Sequence, residues 1–356
     1  MNIVLDISPL TDDSKISHRV RGTGFYIKNL KRSLLEFFPN NRYTFFSRGQ
    51  SIPHDIDIVH YPYFEPFFLT LPFRKKYKTV VTVHDLTPFV FSDKFPIGIR
   101  GRIKWLLHRR NLRNVDAIIA DSQVSKKDII KYAGIPESKI TVVYLAAGEE
   151  FKRIRNEELG INSLRNKYNL PEKFALYVGD VTWNKNLPRL IRAVKKTNIP
   201  LVMVGKALLQ KEFDKENAWN QDLIIIQNLI KNDKQITSIG FVPTEELVLL
   251  YNIATVFVMP SLYEGFGLPI LEAMQCGCPV ITTKEGSLKE ITGDAVFFVD
   301  AYDIESIASG IERVIKNKRL QRELSEKGLI QAKKFSWKET ARKTMQVYKK
   351  IYEKTH

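Results

Sequence analysis

The chain has 356 residues, 44% of them hydrophobic and 26% charged, with 55 Lys and Arg against 39 Asp and Glu, a formal net charge of +16. That composition excludes a disordered or low-complexity chain, and the length makes two domains the default. No apolar run approaches the roughly 18 residues of a membrane span, and the opening "MNIVLDISPL" has the character of a first strand rather than a leader peptide.

Short β-branched runs then alternate with longer amphipathic ones. "NIVLDIS", "RYTFFS", "DIVHYP", "KTVVTVHD", "AIIADS" and "ITVVYLA" read as strands, with "GTGFYIKNLKRSLLEFF", "IRGRIKWLLHRRNLRN" and "SQVSKKDIIKYAG" as helices between them. The pattern restarts with "FALYVGD", "LVMVG", "ITSIGFV", "TVFVMPS", "PVITT" and "AVFFVD", separated by helical stretches near 187–197, 244–253, 269–275, 304–317 and 319–334. The tail "FSWKETARKTMQVYKKIYEKTH" reads as a long basic helix. Such alternation implies an α/β protein with parallel sheets covered by helices on both faces. Its restart predicts two Rossmann-like domains. The boundary is expected in the charged stretch "GEEFKRIRNEELGINSLRNKYNLPEK", near 150–172, which divides the chain into 1–160, 161–335 and a terminal helix over 336–356.

The charge is uneven. Residues 1–155 hold 26 basic against 15 acidic side chains, and 64–114 alone hold 11 against 3. A field of this kind attracts nucleic acid, anionic lipid or anionic small molecules without choosing among them. "FEPFFLTLPFRKKYK" mixes aromatics with a cationic cluster, and "RGRIKWLLHRRNLRN" has six basic residues, no acids, and Ile103, Trp105, Leu106 and Leu107 in its apolar part. Two readings stay open. Both segments could dock on an anionic membrane surface, or Ile103 and Leu107 could pack inward while the arginines face water. The two cysteines, Cys276 and Cys278, are too close for a relaxed disulfide and too few for a zinc site. They read as small buried thiols in a reducing cytoplasm.

The stretch "EGFGLPILE", Glu264 to Glu272, follows the strand "VFVMPS". Ligands of open parallel sheets bind beyond the carboxyl ends of the strands. Pro269 suits a first helical position, which places Glu264 on the loop and Glu272 one turn into the helix. Gly265 and Gly267 let backbone amides approach a ligand, and the helix N-terminus favours an anionic or oxygen-rich one. A carboxylate at each side can accept hydrogen bonds from sugar hydroxyls. The pattern fits a clamp for a nucleotide-sugar.

This stretch resembles the E-x7-E signature of retaining glycosyltransferases of GT-B fold, in particular glycosyltransferase family 4. The passage from "GFVPTEELVLLYNIATVFVMPSLYEGFGLPILEAMQCGCPVITT" to "GDAVFFVDAYD" looks like that family's C-terminal domain, and the resemblance extends over essentially the whole chain. It implies an N-terminal acceptor domain and a C-terminal donor domain whose parallel sheets face across a cleft, the last helix returning to the N-terminal domain. It implies transfer of a hexose, from GDP-mannose or UDP-glucose as first candidates, with retention of configuration, to a saccharide or lipid-linked acceptor in polysaccharide synthesis. It implies no cofactor and no obligatory metal, since the nucleotide-sugar is a substrate, and a cytoplasmic enzyme at the inner face of the membrane.

The resemblance also implies roles. Glu264 would contact the transferred sugar, Glu272 the ribose, and Phe266, Gly267 and Leu268 would bring amides to the sugar and phosphates. In "YVGDVTWNKNLPRLIRA", Lys185 matches the lysine of a basic pair that holds the diphosphate, while Asn184 replaces the usual arginine and Asp180 stands where some relatives have arginine. Arg189 or Lys206 could supply the missing charge. His84, in "VVTVHDLTPF", would hydrogen-bond the transferred sugar or position backbone. Gly22 and Gly24, in "RGTGFYIKNL", would lie in a loop over the diphosphate, and Phe241 and Val242 would hold the base through backbone contacts. The "DID" at Asp55–Asp57 mimics the D-x-D of metal-dependent transferases but reads as the entrance to a strand. Two rival functions share parts of this evidence: a nucleotide-sugar epimerase on the same fold, and a basic nucleic-acid binder. The second lacks any base-stacking or groove-entering module, so nucleic acid is not expected as a partner.

Overall fold

The β-branched runs of the first half form six strands: β1 (Asn2–Asp6), β2 (Arg42–Phe46), β3 (Ile58–Tyr61), β4 (Lys78–Val83), β5 (Ala117–Ala120) and β6 (Ile140–Val142). The computed structural model describes residues 1–10, 22–68, 70–72, 74–154 and 158–353. All six strands pair in parallel, in the order β2-β1-β3-β4-β5-β6. Helices α1 (Gly22–Phe37), α2 (Thr87–Val90), α3 (Gly98–Asn114) and α4 (Gln123–Asp128) lie between them. Central strands covered on both faces are buried at every residue, so β5 is a continuous apolar run and β3 is interrupted only by His60. Val59, Val81 and Ile118 pack there with Trp105 and Leu112 of α3. The Ser122 side chain caps α4 by accepting from the Ser125 amide at 3.0 Å.

The second half contributes β7 (Ala175–Val178), β8 (Leu201–Val204), β9 (Ile236–Ile239), β10 (Val256–Met259), β11 (Val280–Thr282) and β12 (Phe297–Phe298). Their order is β12-β11-β10-β7-β8-β9, again all parallel. The covering helices are α5 (Glu158–Tyr168), α6 (Leu187–Lys195), α7 (Gln221–Ile230), α8 (Thr244–Ile253), α9 (Leu268–Gln275), α10 (Leu288–Thr292), α11 (Ile304–Lys316) and α12 (Lys318–Ala332). The winding runs outward from β7 to β9, then reverses and restarts at β10 on the other side of β7. That reversal is the topological switch point, where doubly wound sheets open a crevice at their carboxyl edge.

The chain divides into two units, Met1–Ser92 with Ile97–Ala146 and Phe335–His356, and Asp93–Pro96 with Ala147–Lys334. Ala147 to Ile154, which the sequence reading placed in the first half, cluster with the second. The final helix, α13 (Trp337–Glu353), belongs to the first. Trp337 packs against the rings of Phe25 and Tyr26, each at 6.0 Å. Tyr348 meets Nδ1 of the buried His60 at 2.6 Å, and His60 Nε2 meets the Thr82 hydroxyl at 2.9 Å. Burial pushes the His60 pKa down to about 3, so its ring is neutral and can donate through one nitrogen while accepting through the other.

One sequence expectation changes here. Gly22 and Gly24 lie in the first turn of α1, not in a loop ahead of it. Arg21 of the same motif lies outside the described residues, as do Leu69 and Phe73 of the aromatic-basic stretch. The "DID" acids stand at the entrance to β3, as the sequence reading has it, and also hold the start of β1: Asp57 accepts from the Asn2 amide at 2.7 Å and Asp55 from its side-chain amide at 3.3 Å.

Candidate active site

The candidate site is built from the loops at the carboxyl edge of the second sheet. Those after β7 and β10 flank the switch point. Lys185 ends the short turn Trp183–Lys185 after β7, and its Nζ donates to both carboxylate oxygens of Glu264 at 2.8 Å. Glu264, 7% exposed, also accepts from the Ser261 hydroxyl at 2.7 Å. A carboxylate this buried is costly without such hydrogen-bond partners. The two residues are 79 apart in sequence; they meet because β7 and β10 are neighbours.

Backbone geometry holds the acid in place. The Glu264 carbonyl accepts from the Ser287 amide at 3.1 Å and the Ser287 hydroxyl at 3.0 Å. Gly267 adopts φ 94°, which turns the chain into α9, and Pro269 follows in the first turn. A Cβ at Gly267 would press on Leu288 Cδ2 at 3.0 Å. Phe266 and Gly267 are buried, Leu268 is half-buried, and α9 points its N-terminus at this turn. The positive end of a helix dipole favours an anion.

Asn184 does different work from an arginine. It is buried, donates to the Tyr263 carbonyl at 2.9 Å, and its own carbonyl accepts from the Leu262 amide at 2.7 Å. It staples the two loops together. Arg189 is committed too: it donates to the Asn186 side chain at 2.9 Å, with its guanidinium 5.6 Å from the centre of the Tyr302 ring. Lys206 follows β8, exposed and without an ion pair among the described residues. Its loop crosses the one after β7 so closely that a Cβ on Gly205 would collide with the Gly179 carbonyl. Of the two cations offered for the missing charge, Lys206 is the uncommitted one. After β9, Phe241 is exposed and Val242 buried. Glu272 lies in α9 and accepts from the Tyr251 hydroxyl at 2.9 Å. Cys276 and Cys278 are buried free thiols whose pKa values burial raises, that of Cys278 to about 12.

In the first unit His84 follows β4 and Asp121 follows β5, its neighbour in the sheet. His84 Nδ1 lies 2.7 Å from Asp121 Oδ2, and Tyr26 packs edge-on against the imidazole at 4.9 Å. Burial pulls the His84 pKa down, but the charge and hydrogen bond of Asp121 outweigh it and the net shift is upward. The Nε2 atom is buried and has no protein partner among the described residues. Sequence reasoning missed Asp121. The signal was present in "AIIADS", an acid at the carboxyl end of a strand next to that of His84. In Asp121→Asn, the pKa of His84 is expected to fall, because burial would then be opposed only by the Asp85 charge and the Pro62 backbone. Histidine side-chain NMR across a pH titration reads this directly; an unmoved titration would show that Asp121 does not govern the ring.

Two family descriptions match the chain, Glycosyltransferase Family 4 over residues 8–147 and Glycosyl transferases group 1 over 161–331. The O-antigen chain mannosyltransferase B of Escherichia coli is 31% identical over 306 residues, which cover 82% of this chain and 75% of that protein. The chain belongs to glycosyltransferase family 4. The serotype-specific mannosyltransferase WbdA of Escherichia coli is 32% identical over 267 residues, covering 74% of this chain and 32% of that protein. The family 4 chain thus spans about a third of the length of that relative. Sucrose-phosphate synthase of Thermosynechococcus elongatus superposes with a TM-score of 0.77 at 18% identity, over 99% of both chains. HepE of Anabaena, solved with UDP and glucose, superposes with 0.72 at 16% identity, over 98% of this chain and 100% of that one. Two six-stranded parallel sheets with these neighbours make this family 4 chain a GT-B protein.

Proposed function

We propose that this chain is a retaining hexosyltransferase of glycan synthesis that takes its sugar from a nucleoside-diphosphate donor and needs no metal. The observation that carries the reading is the Lys185–Glu264 pair at the switch point, beside the glycine turn that opens α9. Lys185, Lys206 and the amides of that turn offer positive charge to a diphosphate, and stabilising the departing diphosphate is the principal electrostatic task of a transfer without metal. Glu264 takes hydroxyls of the transferred sugar, Glu272 those of the ribose, and the loop at Phe241 and Val242 the base. His84 hydrogen-bonds the sugar through Nε2. Gly22 and Gly24, at the start of α1, serve the phosphate side. No protein nucleophile is invoked: the acceptor hydroxyl attacks from the face the diphosphate leaves, and the departing phosphate takes its proton.

The relatives named as mannosyltransferases support GDP-mannose as first donor candidate, and the complexes of HepE with UDP-glucose support UDP-glucose as second. The acceptor is a saccharide or a lipid-linked saccharide at the inner face of a membrane. A thermal-shift comparison of the two donors tests the reading, followed by NMR of the anomeric proton in the product. Donor-specific stabilisation and a product with the donor's own anomeric configuration are expected. An inverted product would overturn retention, and epimerised free donor without transfer would overturn transferase chemistry.

A further inference from the structure

Strand β3 runs through the middle of the first sheet, and its apolar sequence is broken once, by the fully buried His60. A polar ring in that place is costly unless both nitrogens are paired. Both are. Nδ1 meets the Tyr348 hydroxyl of α13 at 2.6 Å and Nε2 the Thr82 hydroxyl of β4 at 2.9 Å. Thr82 carries the chain on to the Tyr26 hydroxyl of α1 at 3.1 Å. All four side chains are buried. Hydrogen bonds in series strengthen one another in such a low dielectric.

The chain ends against the candidate site. The Tyr26 ring stands edge-on to the His84 imidazole, with centres 4.9 Å apart and planes at 84°. Thr82 pins the far end of that ring to β4, so the ring cannot swing away from His84 as a free tyrosine could. Asp121 holds Nδ1 of the same imidazole at 2.7 Å. The two contacts fix different motions. The carboxylate sets where Nδ1 points, and the tyrosine ring sets the tilt of the imidazole plane about that bond. Electrostatics couple the same groups: burial and then the charge of His84 lower the pKa of His60, while burial and then the charge of Asp121 raise that of Tyr26.

Neutral imidazole donates through one nitrogen only, so the tautomer of His60 decides the direction of both its links. With hydrogen on Nε2, Tyr348 donates to Nδ1 and Nε2 donates to Thr82. With hydrogen on Nδ1, Nδ1 donates to Tyr348, Thr82 donates to Nε2, and Tyr26 donates to Thr82. A change at one end is thus transmitted to the other. Burial alone does not require such a chain. Helix α13 also buries the Thr344 hydroxyl and the Trp337 indole nitrogen, both without a partner among the described residues. The path that leads to His84 is paired at every step.

We propose that Tyr26 is a positioning residue for His84, and that Tyr348 of the terminal helix, acting through His60 and Thr82, holds Tyr26 in place. This role rests on the reading in which His84 Nε2 meets the transferred sugar, and it makes the last helix of the chain part of what aims that nitrogen. A misaimed contact at the reacting centre lowers turnover before it lowers affinity for the rest of the donor.

Three hydroxyl deletions test this, Tyr348→Phe, Thr82→Val and Tyr26→Phe, with Thr344→Val as control on the same helix. Each full-length variant is read in two ways: proton–nitrogen NMR of the histidine side chains without donor, and kcat and donor KM for transfer. Tyr348 lies three hydrogen bonds from Tyr26, yet its variant is expected to shift the His84 ring signals. All three deletions should lower kcat about five- to tenfold and leave donor KM within about twofold. Thr344→Val should change neither. His84 signals that stay in place in Tyr348→Phe and Tyr26→Phe, whatever happens to the melting temperature, would overturn the proposal, because the chain would then serve stability alone. Wild-type kcat in the three deletions while His84→Ala is impaired would overturn it too. If His84→Ala itself turns over normally, the sugar-contact reading of His84 fails, and the NMR shifts still decide whether the chain positions the ring.

Discussion

Replacing Glu264 by alanine is expected to cut hexosyl transfer by at least about 10³-fold, about 4 kcal/mol of transition-state stabilisation, while donor binding stays within about tenfold of wild type. The asymmetry follows from what surrounds the side chain. Lys185 gives both its contacts with Glu264 to one acid, and Ser261 adds a third. Without the carboxylate, the Lys185 ammonium no longer shares its charge with Glu264, so affinity for the nucleotide portion is expected to hold. On the proposed function, what disappears is an anion beside the transferred sugar, where positive charge grows as the glycosidic bond breaks. Glu264→Gln separates charge from shape. It keeps a side chain of the same size, should preserve the melting temperature more closely than alanine, and should still lose most of the turnover. Steady-state release of nucleoside diphosphate, paired with donor titration by calorimetry, reads both quantities. Full turnover by the alanine variant would remove Glu264 from the chemistry.

Gly286→Ala is expected to act on the same acid from the far side of its loop. Gly286 has φ +58°, and a Cβ there would fall 2.7 Å from both the amide nitrogen and the carbonyl oxygen of Glu264. Those atoms belong to backbone that Ser287 already grips, so they cannot swing away as a flexible side chain would. The substitution should lower stability by about 2–4 kcal/mol and displace Glu264, with transfer falling well over tenfold. Gly98 supplies the control. It has the same φ of +58° and open space where its Cβ would go, so Gly98→Ala should cost only the left-handed strain of about 1 kcal/mol and leave transfer intact. Thermal melts and transfer rates of the pair decide the matter: if the two variants behave alike, contact with the Glu264 backbone is not what requires glycine at 286.

The strands of both sheets were legible in the sequence for a physical reason. Parallel sheets buried on both faces need unbroken β-branched runs such as "DIVHYP" and "TVFVMPS", and such runs are recognised locally. Helices were less even. The stretch Gln221–Ile230 escaped because its Leu-Ile-Ile-Ile run has no 3.6-residue period to separate it from a strand. Glu158–Tyr168 was absorbed into an expected linker because the stretch that leads into it, "GEEFKRIRNEE", is charged and has no apolar period. Helix α3 was ambiguous because two apolar stripes on opposite faces leave no single wet side. Only coordinates could tell that Trp105 points in and Ile103 out.

The site divides along the same line. The glycine turn, the proline and the acids at 264 and 272 are consecutive in the chain, so their spacing already implied a ligand at a helix start. The lysine at 185 stood out only by resemblance. That it neutralises Glu264, that Asn184 staples two loops where an arginine was expected, that Asp121 holds His84, and that Gly286 must lack a side chain were all decided by strand order. The chain crosses over between β7 and β10 and between β4 and β5, which brings residues 79 and 37 positions apart to within 2.8 and 2.7 Å. Local sequence encodes periodicity and turn chemistry over a few residues; which loop ends meet at a sheet edge depends on how whole strands pair, and that is a property of the folded chain alone.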